Sequence, residues 1–568
     1  MNICFVSDFF HPSVGGVETH MYHLSQWLIK RGHKVIVITH HYKTRSGVRY
    51  LTNGLKVYHI PTTVVYAGTT FPTVYGLYAL LRDIYIREEI DIVHGHQALS
   101  SMCQEAIILA GMMNIRTVFT DHSLFGFSDV SAILTNKLLK FALSDCNAVI
   151  CVSNTSKENT TLRACLDPNT VYVIPNAIVS CDFQPDLQAG DAEKITIVVT
   201  SRLVYRKGID LLVAVIPRIC ALHPSVHFII AGDGPKRVSL DQMREQYMLE
   251  SRVDLVGALS SKQVRDVLVK GHIFLNSSLT EAFCIAILEA ASCGLLVVST
   301  KVGGVPEVLP EDLIIFAQAD EDELVSAVSR AIHLIQTNAI QSSSIHERVK
   351  SMYDWDDVAE RTEKVYQETL QSPNSTIPEM FERYQRVGVL AGHLSVMVIA
   401  VGLMYLMILE CIRPSCNIER AAELDLNQDA VYGRSSADKA TDEDEVVCMH
   451  VFNVFISVVG TEVICPIIYG TSSIPLPWTS LIVEVEISST SARSGRSKTG
   501  EFVMVIGHHH GPIRLRGWGA LPTYSDVQVR NLLEQVFVAF LGYHLPRLEA
   551  RELVDRLDIK RHKWLKDF

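Results

Sequence analysis

Short apolar runs alternate with longer amphipathic stretches along the first 355 residues of the chain. Runs such as residues 2–7, 117–120 and 295–300 have the length of strands and lack a polar face. Strands that are apolar on both faces and alternate with helices form parallel sheets that are covered on each side. The pattern therefore predicts an α/β fold.

A break bounded by Pro175 and Pro185 separates two series of these runs. We therefore predict two doubly wound, Rossmann-like domains, one over residues 1–178 and one over residues 179–355. Ligands of such sheets bind at the carboxyl ends of the strands, so we expect the functional site in a cleft between the two domains.

The pattern changes after residue 355. Residues 356–372 are predicted to form a charged amphipathic helix, for which Asp354 is a candidate cap. Residues 387–409 then run for 23 positions without Asp, Glu, Lys or Arg, which is long enough to cross a hydrocarbon core of ~30 Å. A buried helix of a soluble core is the alternative, although such helices rarely lack a polar face over this length.

The rest of the chain is less informative. Residues 410–445 are polar and predict a linker. Residues 446–568 combine strand-like and helix-like runs, which predicts an unassigned α+β extension or a sequence unrelated to the rest. The acidic run at 442–445 and the three histidines at 508–510 imitate metal sites. A solvated linker and an exposed turn explain them better, so we expect no metal.

Charge and cysteine content narrow the class of protein. The net charge of −11 provides no basic surface for nucleic-acid phosphates. The 13 cysteines include no C-x-x-C pair and lie mostly in apolar runs, which indicates reduced core thiols. The first ten residues lack the basic segment of a signal peptide. We therefore expect the domains in the cytosol, followed by a single membrane span whose flanking arginines favour this orientation.

The densest chemical signal lies between residues 278 and 307. Glu281 stands in a loop before a small-residue helix, Phe283 lies near the start of that helix, and Glu289 lies within it. A helix N-terminus attracts a diphosphate, and carboxylates accept hydrogen bonds from sugar or ribose hydroxyls. The spacing of two glutamates eight positions apart is weak evidence for a site on its own, but the whole run predicts a site for an activated sugar.

One loop in each predicted domain follows its first strand and suits an anion. Gly16 belongs to a glycine-rich turn that opens a helix, where a ligand can approach the backbone. Arg202 and Lys207 follow the first strand of the second domain and could hold a departing diphosphate. A tight connection and a solvated basic turn are the alternatives.

Histidines end two strands of the first domain. His122 follows the run at 117–120, and His94 and His96 end the preceding strand. An imidazole there can hydrogen-bond a sugar hydroxyl or accept a proton, and a satisfied core histidine is the alternative. We take His122 as a candidate catalytic residue and His94 and His96 as weaker candidates on the acceptor side.

Together these runs resemble the retaining nucleotide-sugar glycosyltransferases of family 4, which carry an E-x7-E signature. Within that family they resemble the catalytic subunits of phosphatidylinositol N-acetylglucosaminyltransferase. The resemblance covers residues 1 to about 415 and is carried by FVSDFFHPSVGGVETH, VFTDHSLFGF, SRLVYRKGIDLL, SLTEAFCIAILEAASCGLLVVSTKVGGVPEVLP and YDWDDVAERTEKVY. It implies a GT-B architecture, with the 356–372 helix crossing back onto the N-terminal domain.

The resemblance also implies a reaction. N-acetylglucosamine would pass from UDP-N-acetylglucosamine to phosphatidylinositol, the first step of glycosylphosphatidylinositol (GPI) anchor biosynthesis. The setting would be the cytosolic face of the endoplasmic reticulum membrane, in a complex with other subunits. By analogy, Glu281 and His122 would contact the donor sugar, and Glu289 would contact the ribose. Arg202 and Lys207 would hold the diphosphate. Gly16 would leave room for the diphosphate and the acceptor, and Phe283 would supply backbone amides near the start of the helix.

No protein nucleophile is evident beside the two glutamates, so we expect same-face attack by the inositol hydroxyl, with cations in place of a metal. Two alternatives stay open. The same fold could act on another lipid or sugar, or the chain could be a non-catalytic scaffold subunit that binds a nucleotide sugar. The combination of Arg202, Lys207, Glu281 and Glu289 argues against the scaffold.

Overall fold

The computed structural model describes residues 1–422, apart from 14, 43–44, 67, 127–129, 187–193 and 338–341, together with three strands between residues 482 and 520. Residues 1–403 form one compact unit and residues 404–568 another. The strands of the first unit are β1 (Asn2–Val6), β2 (Lys34–His40), β3 (Gly47–Tyr50), β4 (Lys56–Ile60), β5 (Val64–Tyr66), β6 (Thr69–Thr70), β7 (Ile92–His96), β8 (Arg116–Asp121), β9 (Ala148–Cys151), β10 (Val171–Val173), β11 (Ile195–Thr200), β12 (Val226–Ala231), β13 (Val253–Gly257), β14 (Ile273–Asn276), β15 (Leu296–Thr300) and β16 (Ile314–Ala317).

The helices connect these strands and extend beyond them. They are α1 (Gly16–Lys30), α2 (Tyr78–Arg87), α3 (Ser101–Met112), α4 (Val130–Leu143), α5 (Asn154–Ala164), α6 (Ile209–Leu222), α7 (Arg237–Gln246), α8 (Ser261–Leu268), α9 (Ile285–Ser292), α10 (Glu321–Gln336), α11 (Ser342–Met352), α12 (Trp355–Gln371), α13 (Ile377–Gln385) and α14 (Val389–Ile412).

Two sheets organise the first unit, as the alternating pattern predicts. The first has the order β10-β9-β8-β7-β1-β2-β4-β3 and is parallel except for the edge strand β3. The second has the order β13-β12-β11-β14-β15-β16 and is parallel throughout. The first strand of each series, β1 or β11, lies inside its sheet, so the loop that follows it opens at the middle of the carboxyl edge. We call the two halves the first and second lobes.

Helix α12 returns from the second lobe to the first. Its Tyr366 is fully buried and its hydroxyl lies 2.6 Å from the His94 ring. On its outer side, Glu363 accepts a hydrogen bond of 2.8 Å from Arg31, the residue that follows α1. The Trp355 side chain that begins α12 is also buried, in a core that includes apolar residues of both lobes.

Helix α14 is the apolar segment at the end of the first unit. By length and composition it is long and apolar enough to cross a membrane. Its 24 residues begin and end slightly later than the predicted 387–409. One face is buried on the first lobe at Val396, Ile399 and Leu403.

The second unit contains three antiparallel strands, β17 (Ile482–Ser489), β18 (Thr499–His508) and β19 (Gly511–Ala520). They fall within the predicted α+β extension. Most of the predicted linker at 410–445 and of the extension at 446–568, including His509 and His510, lies outside the described residues.

Candidate active site

Lys207 and Glu281 form an ion pair between two loops of the second lobe. The Lys207 ammonium donates to the Glu281 carboxylate, and the Ser278 hydroxyl lies 2.7 Å from the same carboxylate oxygen. The loops meet because Gly208 has a φ of 66° and a side chain there would collide with the Ser277 carbonyl at 1.8 Å. Burial disfavours the Lys207 ammonium, but the neighbouring Glu281 carboxylate outweighs burial and raises its pKa. The side chain therefore remains a cation at neutral pH.

Glu289 lies one turn into α9, below the same loop. It is partly buried and has no hydrogen-bond partner among the described side chains. Burial raises its pKa to about 7, because the carboxylate loses water without gaining a counter-charge. Cys284, the residue before α9, has a left-handed backbone conformation with a φ of 81°. Its thiol lies close enough to Glu281, Lys207 and Glu289 for their charges to act on it. The two predicted glutamates therefore flank the free amide end of one helix.

The glycine turn of the first lobe faces this helix. Gly16 begins α1, and a side chain there would meet Ile285 of α9 at 3.5 Å. Glu18, two residues after Gly16, is buried. Burial raises the pKa of its carboxyl, whereas the positive charge of Arg202 lowers it. Arg202 is exposed and its charge also acts on Lys207. Arg202 and Lys207 therefore lie near each other at the mouth of the cleft.

Four imidazoles cluster at the carboxyl edge of the first sheet. His96 Nδ1 lies 3.3 Å from His122 Nε2, and the His20 ring centroid lies 4.7 Å from that of His122. His20 Nδ1 bonds Asn176 Oδ1 at 2.8 Å, which leaves its other nitrogen toward the cluster. His94 is stacked on His96, with 4.2 Å between the ring centroids. The structure therefore places the predicted candidates His96 and His122 next to each other. It adds His20, which the sequence did not predict, to the same cluster.

Burial keeps these rings neutral. It lowers the pKa of His20 to about 4 and the pKa values of His94, His96 and His122 well below their usual range. His94 has no exposed surface and has both nitrogens occupied, by Tyr366 and Thr120, so it supports His96 from within the lobe.

The nitrogens of His20, His96 and His122 lie within 4.8 Å of one another, close enough to hold a metal ion. Among the described residues, this is the one group of three or more histidine, cysteine, aspartate or glutamate side chains with that spacing. The expectation of no metal stays a prediction, as do the individual roles of the site residues.

Several polar contacts join the two lobes beside the cleft. Glu307 of the second lobe accepts hydrogen bonds from the backbone N–H groups of Asn154 and Thr155 at 2.6 and 2.8 Å, at the start of α5. Arg206 donates to the Leu124 carbonyl of the first lobe at 2.7 Å. These residues hold the lobes together. Phe283, a predicted backbone contact, has a buried side chain that packs on Tyr353.

Two facing Rossmann-like lobes with this cleft define a glycosyltransferase of the GT-B fold. Solved structures agree: sucrose-phosphate synthase from Thermosynechococcus elongatus has a TM-score of 0.54 at 18% identity and covers 65% of this chain and 98% of its own. Anabaena Alr3699/HepE in complex with UDP and glucose has a TM-score of 0.53 at 18% identity and covers 66% of this chain and all of its own. Residues 183–344 match the family described as glycosyl transferases group 1.

The chain belongs to the PIGA/GPI3 family of phosphatidylinositol N-acetylglucosaminyltransferase subunits. Residues 40–129 match the family described as PIGA (GPI anchor biosynthesis). The gpi3 subunit of Schizosaccharomyces pombe is 55% identical over 418 residues, 74% of this chain and 92% of the relative. The phosphatidylinositol N-acetylglucosaminyltransferase relative from Homo sapiens is 52% identical over 427 residues, 74% of this chain and 87% of the relative.

Proposed function

We propose that this glycosyltransferase moves N-acetylglucosamine from UDP-N-acetylglucosamine to phosphatidylinositol, with retention at the anomeric carbon. The observation that carries the proposal is the pair of Lys207 and Glu281 at the amide end of α9, opposite Gly16. The relatives' names supply the donor sugar and the lipid acceptor. The pair, the helix end and the glycine turn supply the groups that such a donor requires.

Each half of the donor has a chemically matched partner in this proposal. The diphosphate lies at the start of α9, where Lys207 and Arg202 stabilise the charge that develops as the sugar leaves. Glu281 and Glu289 accept hydrogen bonds from sugar and ribose hydroxyls. Since the raised pKa of Glu289 reflects lost hydration, donor hydroxyls supply the hydrogen bonds that water would otherwise give the carboxylate.

The acceptor enters from the first lobe. The inositol hydroxyl attacks from the face that the diphosphate leaves, so the departing phosphate oxygen takes the hydroxyl proton and no protein base is required. His122, held by the neutral His20 and His96, donates or accepts a hydrogen bond at the reacting sugar. Contacts such as that of Glu307 with α5 keep water away from the donor.

We further propose that the enzyme works at the cytosolic face of the endoplasmic reticulum membrane, anchored once by α14 and assembled with other subunits. The apolar length of α14 and the relatives named as subunits support this placement. The cations Arg202 and Lys207 act in place of a metal, so chelators leave activity unchanged.

A donor screen tests the proposed reaction. Membranes from cells whose own gene is deleted receive the full chain and are supplied with radiolabelled UDP-N-acetylglucosamine, UDP-glucose or GDP-mannose. We expect labelled phosphatidylinositol from the first donor alone, and an α-linkage in the product by NMR. Labelling from another donor, or a β-linkage, would overturn the assignment. The variant Lys262→Met, which changes an exposed lysine on α8, should give the same labelled product as wild type.

A further inference from the structure

An uncharged stretch of the first lobe carries exposed apolar side chains. Residues 61–81 contain no Asp, Glu, Lys or Arg. Within this stretch the exposed fractions are 42% for Val64, 64% for Val65, 62% for Phe71 and 48% for Val74. Isolated exposed apolar side chains are normal on soluble proteins, but a cluster without charge marks an interaction surface. We call these four residues the apolar ledge.

The backbone of the ledge is fixed by hydrogen bonds to buried groups. Thr70 donates to Asp8 at 2.8 Å, beside the end of β1. Three residues later, Thr73 Oγ1 and Val74 N donate to the buried Glu105 carboxylate at 2.6 and 3.1 Å. Val74 has a φ of 62°, a conformation that is rare for a β-branched residue. The structure therefore holds these apolar groups outward at a defined position.

The ledge is joined to the apolar helix α14. The hydroxyl of Tyr75, the residue after Val74, donates to the Val398 carbonyl at 2.8 Å. Four residues further along α14, Gly402 allows close contact, since a side chain there would lie 2.9 Å from Met112 and 3.5 Å from Tyr75. The opposite face of α14 exposes Leu390, Leu394, Met397 and Val401.

This contact fixes the depth of the ledge relative to α14. Val398 is the tenth of the 24 residues of the helix, about 14 Å from its start at 1.5 Å per residue. A hydrocarbon core is ~30 Å thick. A lobe that hydrogen-bonds the middle of α14 lies against the bilayer that receives the exposed face of this helix.

We infer that the apolar ledge inserts into the lipid bilayer beside α14 and holds the cleft at the membrane surface. The inference rests on the proposed function and adds the path of the acceptor. Thr70, the residue before Phe71, hydrogen-bonds Asp8, and a side chain at Gly68 would lie 3.6 Å from Phe9. Because β1 ends at this edge, close to the Gly16 turn and the imidazole cluster, a lipid headgroup can reach the cleft without leaving the membrane.

Photolabelling tests the insertion without using activity. The full chain, assembled with its partner subunits, is placed in phosphatidylcholine vesicles that contain one-fifth phosphatidylinositol and a trace of a phosphatidylcholine with a diazirine on its acyl chain. We expect label on peptides containing Phe71 and on α14, and none on the peptide containing Val238, an exposed apolar residue of α7. Label on α14 without label at Phe71 would overturn the inference. Label at Phe71 in the isolated chain but not in the complex would also overturn it, because the ledge would then be covered by another subunit.

A substitution separates the ledge from the chemistry. Burial of one phenylalanine changes a membrane partition constant by about ten- to a hundredfold, so Phe71→Asp should lower transfer to phosphatidylinositol in vesicles by about tenfold. Transfer to a short-chain phosphatidylinositol free in water should stay within about twofold, and Val238→Asp should change neither. Equal loss with both acceptors would contradict the inference, whereas a wild-type chain inactive with both would refute the proposed reaction and leave the labelling test standing.

Discussion

Replacing Glu289 by glutamine should make the empty protein more stable and the donor site weaker. Its pKa moves from an ordinary value of 4.5 to about 7 because burial disfavours the charged form. A shift of that size corresponds to about 3 kcal/mol, and partial exposure of the side chain reduces it to about 1–3 kcal/mol. Because the folded pKa is raised, the folded state is penalised as the pH rises from about 4.5 through 7, and the full penalty applies above that range.

The assay is thermal unfolding of the full chain in detergent at pH 5 and at pH 8. Glu289→Gln should lie close to wild type at pH 5 and unfold at a temperature about 2–12 °C higher at pH 8, since 1 kcal/mol shifts the midpoint of such domains by about 2–4 °C. Glu245→Gln, which changes an exposed carboxylate on α7, should shift neither midpoint.

UDP should narrow the difference in stability between wild type and Glu289→Gln. Charge-assisted hydrogen bonds contribute about 1.5–3 kcal/mol, so loss of the Glu289 carboxylate should weaken UDP binding by about ten- to a hundredfold. Saturating UDP should therefore raise the midpoint of wild type more than that of Glu289→Gln. A variant that binds UDP as tightly as wild type, or that is less stable than wild type at pH 8, would refute the placement of Glu289 in the ribose site.

Three further predictions follow from the cleft. Lys207→Met should lower kcat by about a hundredfold or more with an intact fold, because it removes the partly buried cation at the diphosphate. Initial rates and circular dichroism of the variant check this. Since burial lowers the pKa of His20 to about 4, the free energy of unfolding should fall as the pH falls from 6.5 to 4, and His20→Asn should reduce the His20 share of that loss in a pH series of unfolding midpoints. Glu307→Gln weakens the contact with α5, so release of free N-acetylglucosamine from the donor should rise relative to transfer, which a product assay measures.

The parallel sheets could be predicted because their strands are buried on both faces. The run at 295–300 corresponds to β15, and the run at 117–120 to β8. The edge strand β3 carried no such signal, because all four of its residues are exposed and its antiparallel pairing with β4 depends on tertiary structure. Strand β16 is short and follows a loop, so its pattern was not distinctive.

The site could be predicted where loop chemistry follows a strand, as for Lys207 and Glu281. His20 could not, because its place in the imidazole cluster depends on how α1 packs over the first sheet rather than on any local motif. Its position four residues after Gly16 was the available signal, since both lie on the same face of a helix. The hydrogen bonds of Glu307 connect residues more than 150 positions apart, a distance at which a single sequence carries no pairing information.

In the proposed reaction, Lys207 and Glu281 form the donor site of the glycosyltransferase. The most direct measurement is the initial rate of N-acetylglucosamine transfer to phosphatidylinositol in membranes that contain Glu281→Gln as the sole copy of the chain. We expect a rate at least about a hundredfold below wild type, with Glu245→Gln within about twofold of wild type at equal protein levels. A Glu281→Gln rate within a few fold of wild type would contradict it.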